Sequence, residues 1–209
     1  MKIIDISPLI SPRLAVFPGD TPFSQDYLLR IDEGSHLDLS TIHTTTHLGV
    51  HADAPSHYHG DGQTIEHRDL SLYIGDCQII EVDIPRGQRI QLTDFDCEFE
   101  SRRILFKTGS FPDPDKWNAD FNSLSPDLVM HASRKGVRLI GLDTPSVDPS
   151  DSKDLPAHKA IAVADMAILE GVVLDDVEPG MYTLIALPLR IEKGDASPVR
   201  AILLPKGSL

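Results

Sequence analysis

The sequence predicts an α/β fold: a mixed sheet, open or barrel-like, with few helices on its outside. Three observations point there. Short apolar runs rich in strand-forming residues recur between turn residues, only two segments carry helix signals, and the two kinds of element are mixed rather than strictly alternating. At 209 residues the chain can bury one sizeable core, so a single domain over residues 1–209 is expected.

The strand-like runs are Cys77 to Ile84, Arg103 to Phe106, Val137 to Leu142, Val172 to Leu174, Tyr182 to Leu187 and Arg200 to Leu204. Between the second and third lies a helix signal: Ser125 as N-cap, Pro126 at the first helical position, Leu128 to Lys135 following, and Gly136 as the stop. A serine cap satisfies an orphan amide and proline fits the first turn, which needs no N–H there. A second helical stretch, Ala157 to about Val163, follows the Asp-, Ser- and Pro-rich loop Asp148 to Pro156.

Composition excludes several partners. The formal charge of −13 disfavours nucleic acid and anionic lipid, which reward clustered lysine and arginine, and points to a small-molecule partner. The chain has two cysteines, Cys77 and Cys97, in no metal-ligand spacing and expected to be reduced. The apolar run at Met1 to Pro8 is too short for a signal peptide, and no stretch is long enough to span a bilayer. The expected compartment is the cytoplasm.

The chemistry concentrates between His43 and His59, which hold His43, His47, His51, His57 and His59 of the nine histidines in the chain. A polar loop or backbone-satisfied core histidines would explain any one of these. The neighbours argue otherwise: Asp53 lies two residues after His51, Gly49 frees the backbone between two histidines, and Pro55 stiffens the approach to His57. Imidazole nitrogens and carboxylate oxygens suit zinc and also accept manganese and other first-row ions. Gly49 and β-branched Val50 fit a loop or bent strand better than a helix, and there Asp53 can offer one oxygen to each of two ions. No cysteine lies nearby to close the shell with thiolate, so room for water remains, as catalysis requires.

The pattern His47-x-Gly49-x-His51-x-Asp53-x-Pro55-x-His57 resembles the signature of the cyclase-like metal-dependent amidohydrolases, a family that includes the bacterial kynurenine formamidases. Further matches occur in order along nearly the whole chain: Asp5-Ile6-Ser7, Phe17 to Pro22, Lys107-Thr108-Gly109, Gly141 to Asp148, His158, Leu169-Glu170 and Leu187-Pro188-Leu189. The resemblance implies a swivelling β/β/α domain of the cyclase type, a homodimer and two divalent ions, most readily Zn2+ with Mn2+ as the alternative. It implies that His47, His51 and Asp53 hold one ion and that His158, Asp53 and Glu170 hold the other, with Asp53 and Glu170 bridging. His57 is left as general acid and base, and Phe17 lines the substrate pocket; core packing is the alternative for Phe17. The sequence departs from the pattern at Val50, Gly171 and Phe17, where the family commonly has Thr, Asn and Trp; none of these is an implied ligand.

A straight helix would hold His158 and Glu170 about 18 Å apart at about 1.5 Å per residue. Sharing an ion therefore requires the helix to end early, around Ala164 to Met166. On local sequence alone Glu170 reads as a solvated carboxylate before a Gly171 stop; the resemblance reverses that reading. The implied activity is hydrolysis of an aryl formamide, N-formyl-L-kynurenine. Opening of a cyclic amide such as isatin is the alternative with the same ions, and a noncatalytic metal-binding protein is the alternative from a different class. Serine catalysis is set aside because no Gly-x-Ser-x-Gly elbow occurs. His36, His43, His59, His67 and His131 are assigned no role, His131 simply riding its helix.

Overall fold

The computed structural model describes residues 2–208. In chain order its elements begin with β1 (Ile4–Asp5), β2 (Ser24–Leu29), β3 (Leu39–His43), β4 (His51–Asp53), β5 (Ile74–Glu81), β6 (Arg89–Ile90), β7 (Arg103–Lys107) and β8 (Ser123–Leu124). Then follow α1 (Pro126–Arg134), β9 (Leu139–Leu142), α2 (Pro156–Val163), β10 (Ala167–Leu169), β11 (Gly180–Ile185), β12 (Ala196–Pro198) and β13 (Ile202–Pro205).

Seven strands form one curled, half-barrel sheet in the order β1-β13-β11-β5-β7-β9-β10. The half from β5 through β10 is parallel, whereas β11 runs antiparallel to both β5 and β13. Strand alternation divides the apolar side chains between two cores. Ile104, Phe106, Ile140, Leu142 and Ile168 face one side, where Leu128, Val129 and Ala132 of α1 and Ala157, Ala160 and Ile161 of α2 cover them. Ile79, Leu105, Leu139, Leu169, Leu184 and Leu203 face the other and are covered by Val50, Ala52, Ala54 and Tyr73. The helices thus occupy one side only, and the histidine-bearing segment lies across the opposite one.

Gly141 lets β9 and β10 approach: a Cβ there would stand 2.2 Å from the Leu169 carbonyl oxygen. β4 pairs with β12, Asp53 opposite Ala196, and the β2–β3 hairpin stands apart with almost every residue exposed.

α1 matches its sequence signals. The Ser125 side chain accepts a hydrogen bond from Leu128 N at 3.2 Å, and Gly136 ends the turn at φ 89°. α2 stops at Val163 and the chain reverses through Asp165, at φ 48°, straight into β10. The run Val172 to Leu174 is not a strand. Val172 and Leu174 are buried in an irregular segment, and the strand of this region is Ala167–Leu169 just before it. An apolar run reports burial, and here burial was mistaken for pairing.

Replacing Ser125 by alanine leaves the first turn of α1 uncapped and is expected to lower stability by about 1 kcal/mol. Chemical denaturation measures the loss; an unchanged midpoint would show that the cap contributes nothing.

Candidate metal centre and pouch

The bend between β3 and β4 brings the first donors together. Gly49 turns the backbone at φ 56°, so that His47 before it and His51 after it face a common point with Asp53. His47 Nδ1 lies 3.0 Å and His51 Nε2 3.5 Å from Asp53 Oδ1. The second group arrives from β10: His51 and Glu170 exchange backbone hydrogen bonds, His51 N–H to Glu170 O at 3.1 Å and Glu170 N–H to His51 O at 3.0 Å. This bridge sets Glu170 beside β4, with Glu170 Oε2 3.1 Å from His51 Nε2. The reversal after α2 lets His158 reach the same place, its Nε2 3.6 Å from Asp53 Oδ2 and 3.8 Å from Glu170 Oε1.

Gly171 is what this closeness demands. A Cβ on it would stand 2.4 Å from the Gly49 carbonyl oxygen, and its φ is 71°. Asparagine could adopt the left-handed backbone, but its Cβ would not fit the space.

Two sets of donors therefore share Asp53: His47, His51 and Asp53, and Asp53, His158 and Glu170. They fit divalent cations. Both Asp53 oxygens are buried and neither has a partner with hydrogen-bond geometry, a costly state for a carboxylate unless a cation offsets it. The spacings agree, because zinc bonds of about 2.0–2.2 Å in a tetrahedron set ligand atoms roughly 3.3 Å apart. Each histidine is also steered from behind. His51 Nδ1 stands 2.9 Å from the Gly49 carbonyl, and His158 Nδ1 stands 2.8 Å from Asp148 Oδ2. These oxygens only accept, so each Nδ1 carries its proton and Nε2 is the atom aimed at the donor cluster. His47 Nε2 stands 3.2 Å from Asp195 Oδ2 in the same manner.

Asp148 serves two purposes. It is fully buried, pairs with Arg89 Nη2 at 2.8 Å, and accepts the N–H groups of Ala157 and His158. It thereby caps α2, whose own cap residue Leu155 offers no side-chain bond.

His57, in a 3-10 turn opened by Pro55, stays outside both donor sets that contain Asp53. Its ring packs against His47 at 4.2 Å between centroids, and its Nδ1 is 3.5 Å from Asp195 Oδ2. It is the exposed histidine of the group.

Above the cluster opens a pouch of about 500 Å³, reached by His47, His51, His57 and His158. Phe17 forms part of its wall, 39% exposed, with its ring edge-on to Trp117 at 5.0 Å. Phe17 is thus a pouch residue rather than a core one.

Protonation reflects the crowding of charge. Burial pulls His47 down, but Asp53 and Asp195 outweigh it and raise its pKa to about 9. Burial likewise opposes His158, and Asp148 with Asp53 raises it to about 10. Burial would push Asp53 up, yet His158 and His47 hold it well below the ordinary carboxylate range.

All seven residues singled out in the sequence are gathered at this one place. Asp148, Asp195 and Trp117 were not given roles from sequence; Asp148 stands in a stretch noted for its resemblance, whereas nothing local marks Asp195 or Trp117.

A half-barrel sheet that gathers paired imidazole and carboxylate donors under an open pouch defines the cyclase-type hydrolase class. Residues 4–149 match the Cyclase family. Kynurenine formamidase of Sphingopyxis alaskensis is 45% identical over 97% of both chains, and that of Erythrobacter litoralis is 43% identical over 97% of this chain and 93% of its own. A solved structure described as a potential metal-dependent hydrolase with cyclase activity superposes with a TM-score of 0.83 at 26% identity, covering 97% of this chain and 96% of the other. The chain belongs to the Cyclase family.

Two outcomes follow from the geometry. Asp148→Asn loses the charge that orients His158, and zinc affinity measured by chelator competition is expected to fall tenfold to a hundredfold; unchanged affinity contradicts that role. In the metal-free protein, His47 and His158 titrate at about 9 and about 10, against about 6.5 in the unfolded chain. Their contribution to stability is complete below about pH 6.5 and is lost as pH rises through those values. Thermal melts of chelator-treated protein should show a midpoint that falls between pH 6.5 and 10, and a constant or rising midpoint contradicts the assignment.

Proposed function

We propose that this chain is a metal-dependent amide hydrolase that converts N-formyl-L-kynurenine to L-kynurenine and formate. The observation that carries the reading is Asp53, whose two unpartnered oxygens face separate histidine groups, with the unligated His57 alongside. His47, His51 and Asp53 would hold one ion, and Asp53, His158 and Glu170 the other. Glu170 also turns an oxygen toward each of His51 and His158, which supports its bridging place. The formamidase name of relatives at 45% and 43% identity supports the substrate. When bound, the ions supply an activated water near neutral pH and charge to offset the developing oxyanion.

The chain's own residues do the rest. His57, held by His47 and Asp195 yet open to the pouch, takes a proton from the water that adds to the formyl carbon. It returns that proton to the aryl nitrogen as the C–N bond breaks, leaving the free amine and formate. Phe17 and Trp117 offer aromatic edges and faces to the substrate ring. The formyl group is small enough to reach the recessed donors while the larger body stays in the pouch.

The reading includes Zn2+ as the ion, for which the all-nitrogen-and-oxygen donor set is suited. It also includes a homodimer, by resemblance to the family, and the cytoplasm. Two free cysteines agree with a reducing compartment, and among the described residues no helix is long and apolar enough to cross a membrane.

The test compares metal-free, zinc-loaded and His57→Ala proteins against formylkynurenine and isatin, followed by absorbance. Zinc-loaded protein is expected to release kynurenine at least a hundredfold faster than metal-free protein. His57→Ala should keep its zinc and lose a hundredfold or more in kcat, which a purely metal-binding protein would not show. Equal rates with and without metal sink the reading; a strong preference for isatin retains the chemistry and changes the substrate.

A further inference from the structure

On the walls of the pouch, above the histidines at its floor, the charged side chains are all carboxylates. Asp20, Asp143 and Asp175 line it, and among the described residues no lysine or arginine does. Other sources of positive potential are closed off. Arg89 is paired to Asp148, and the first amides of α2, which could otherwise receive an anion, already donate to Asp148. Positive charge can enter only at the floor, through the imidazoles of the donor cluster or the ions they would hold. The walls, in a chain of net charge −13, favour a cation and repel an anion.

The three carboxylates are not equivalent. Asp143 is engaged within its own loop: Oδ1 accepts Thr108 Oγ1 at 2.6 Å, and Oδ2 accepts the N–H groups of Thr108 and Gly109, each at 2.8 Å. Asp175 lies exposed after Leu174. Asp20 is different. A tight turn, closed by Asp20 N–H to Phe17 O at 2.9 Å, puts its carboxylate on the same rim as the Phe17 ring. Oδ1 accepts Thr21 N–H at 2.8 Å and Oδ2 accepts Thr45 Oγ1 at 2.7 Å. One donor on each oxygen fixes the carboxylate's direction and leaves each a further lone pair. Thr45 is itself bonded to Thr21 through the backbone and, through its hydroxyl, receives the His47 N–H at 3.2 Å. Asp20 is therefore held in register with the donor cluster.

We infer that Asp20 is the subsite for a primary ammonium group, and that the enzyme selects aryl formamides with a cationic side chain while leaving a substrate carboxylate unread. The inference rests on the formamidase reading for its substrates and goes beyond it in naming which charged group is recognised. With the ring against Phe17 and the formamide at the floor, a flexible ortho chain reaches back to the rim, where Asp20 waits and no fixed cation does.

The experiment uses zinc-loaded full-length protein and three ortho-acyl formanilides: formylkynurenine, its decarboxylated analogue bearing only the ammonium, and its deaminated analogue bearing only the carboxylate. The ammonium compound is expected within about threefold of formylkynurenine in kcat/KM, and the carboxylate compound at least tenfold below, the loss falling in KM. In Asp20→Asn the ratio between the two analogues should collapse toward one. Calorimetry with the three corresponding deformylated amines gives the same ranking without turnover. Absent hydrolysis with that affinity ranking kept defeats the formamidase reading and upholds the ammonium subsite. Equal affinities, or tighter binding of the carboxylate compound, overturn the subsite whether or not hydrolysis occurs. Should Asp20→Asn fail to fold, the rankings measured on the unaltered protein decide.

Discussion

One pair of backbone hydrogen bonds, exchanged between His51 and Glu170, is the constraint on which the site depends. It joins β4, which pairs with β12 in a separate two-stranded sheet, to the end of β10. Because the bonds run through the main chain, the two side chains emerge at a separation fixed by the backbone rather than by rotamer choice. Two glycines make the contact possible. Gly49 and Gly171 meet carbonyl to Cα, where any side chain on residue 171 would occupy the position of the Gly49 oxygen. The loss of Gly171's options is thus the cost of placing Glu170 against the histidine segment.

Around that fixed pair, the three ligand-type histidines are oriented by three unlike partners: a carbonyl for His51, a buried carboxylate for His158 and a half-exposed carboxylate for His47. A carbonyl fixes tautomer with little change in basicity, whereas a carboxylate also strengthens the imidazole as a donor. The two groups of donors are therefore electronically unequal. Both carboxylate-backed rings, His47 and His158, are raised above the ordinary imidazole range by the carboxylates beside them. Asp195 is shared between His47 and His57, so one side chain steadies both rings.

Much of this was legible in the sequence, for physical reasons that differ between elements. α1 could be read because Ser125, Pro126 and Gly136 act locally, through capping and backbone preference. The early end of α2 followed from a distance argument once the family resemblance set His158 and Glu170 at one ion. The β2–β3 hairpin was missed: its strands bury neither face, so they lack the alternation by which a strand is read. Val172 to Leu174 misled because an irregular segment crossing a core carries the same apolar residues as a strand. In the candidate site, the density of histidines around Gly49 spoke for itself, whereas Glu170 became readable only through family resemblance. Its local sequence is that of a solvated chain end, and its burial comes from tertiary contacts, among them the bridge to His51 and the Val147 N–H donated to Glu170 Oε1 at 2.7 Å. Asp195, Trp117 and the rim position of Asp20 depend on packing between distant segments, which no local pattern encodes.

The pairing of β4 with β12, Asp53 opposite Ala196, also has a consequence for the order in which the site is assembled. The histidine-rich segment stands far along the chain from the strand that flanks it and from the carboxylate that steadies His47. Until the two meet, β4 has an open edge and His47 Nε2 lacks its carboxylate partner. The donor cluster is therefore completed only when segments distant in sequence have docked, a contact whose loop-closure cost comes before its reward.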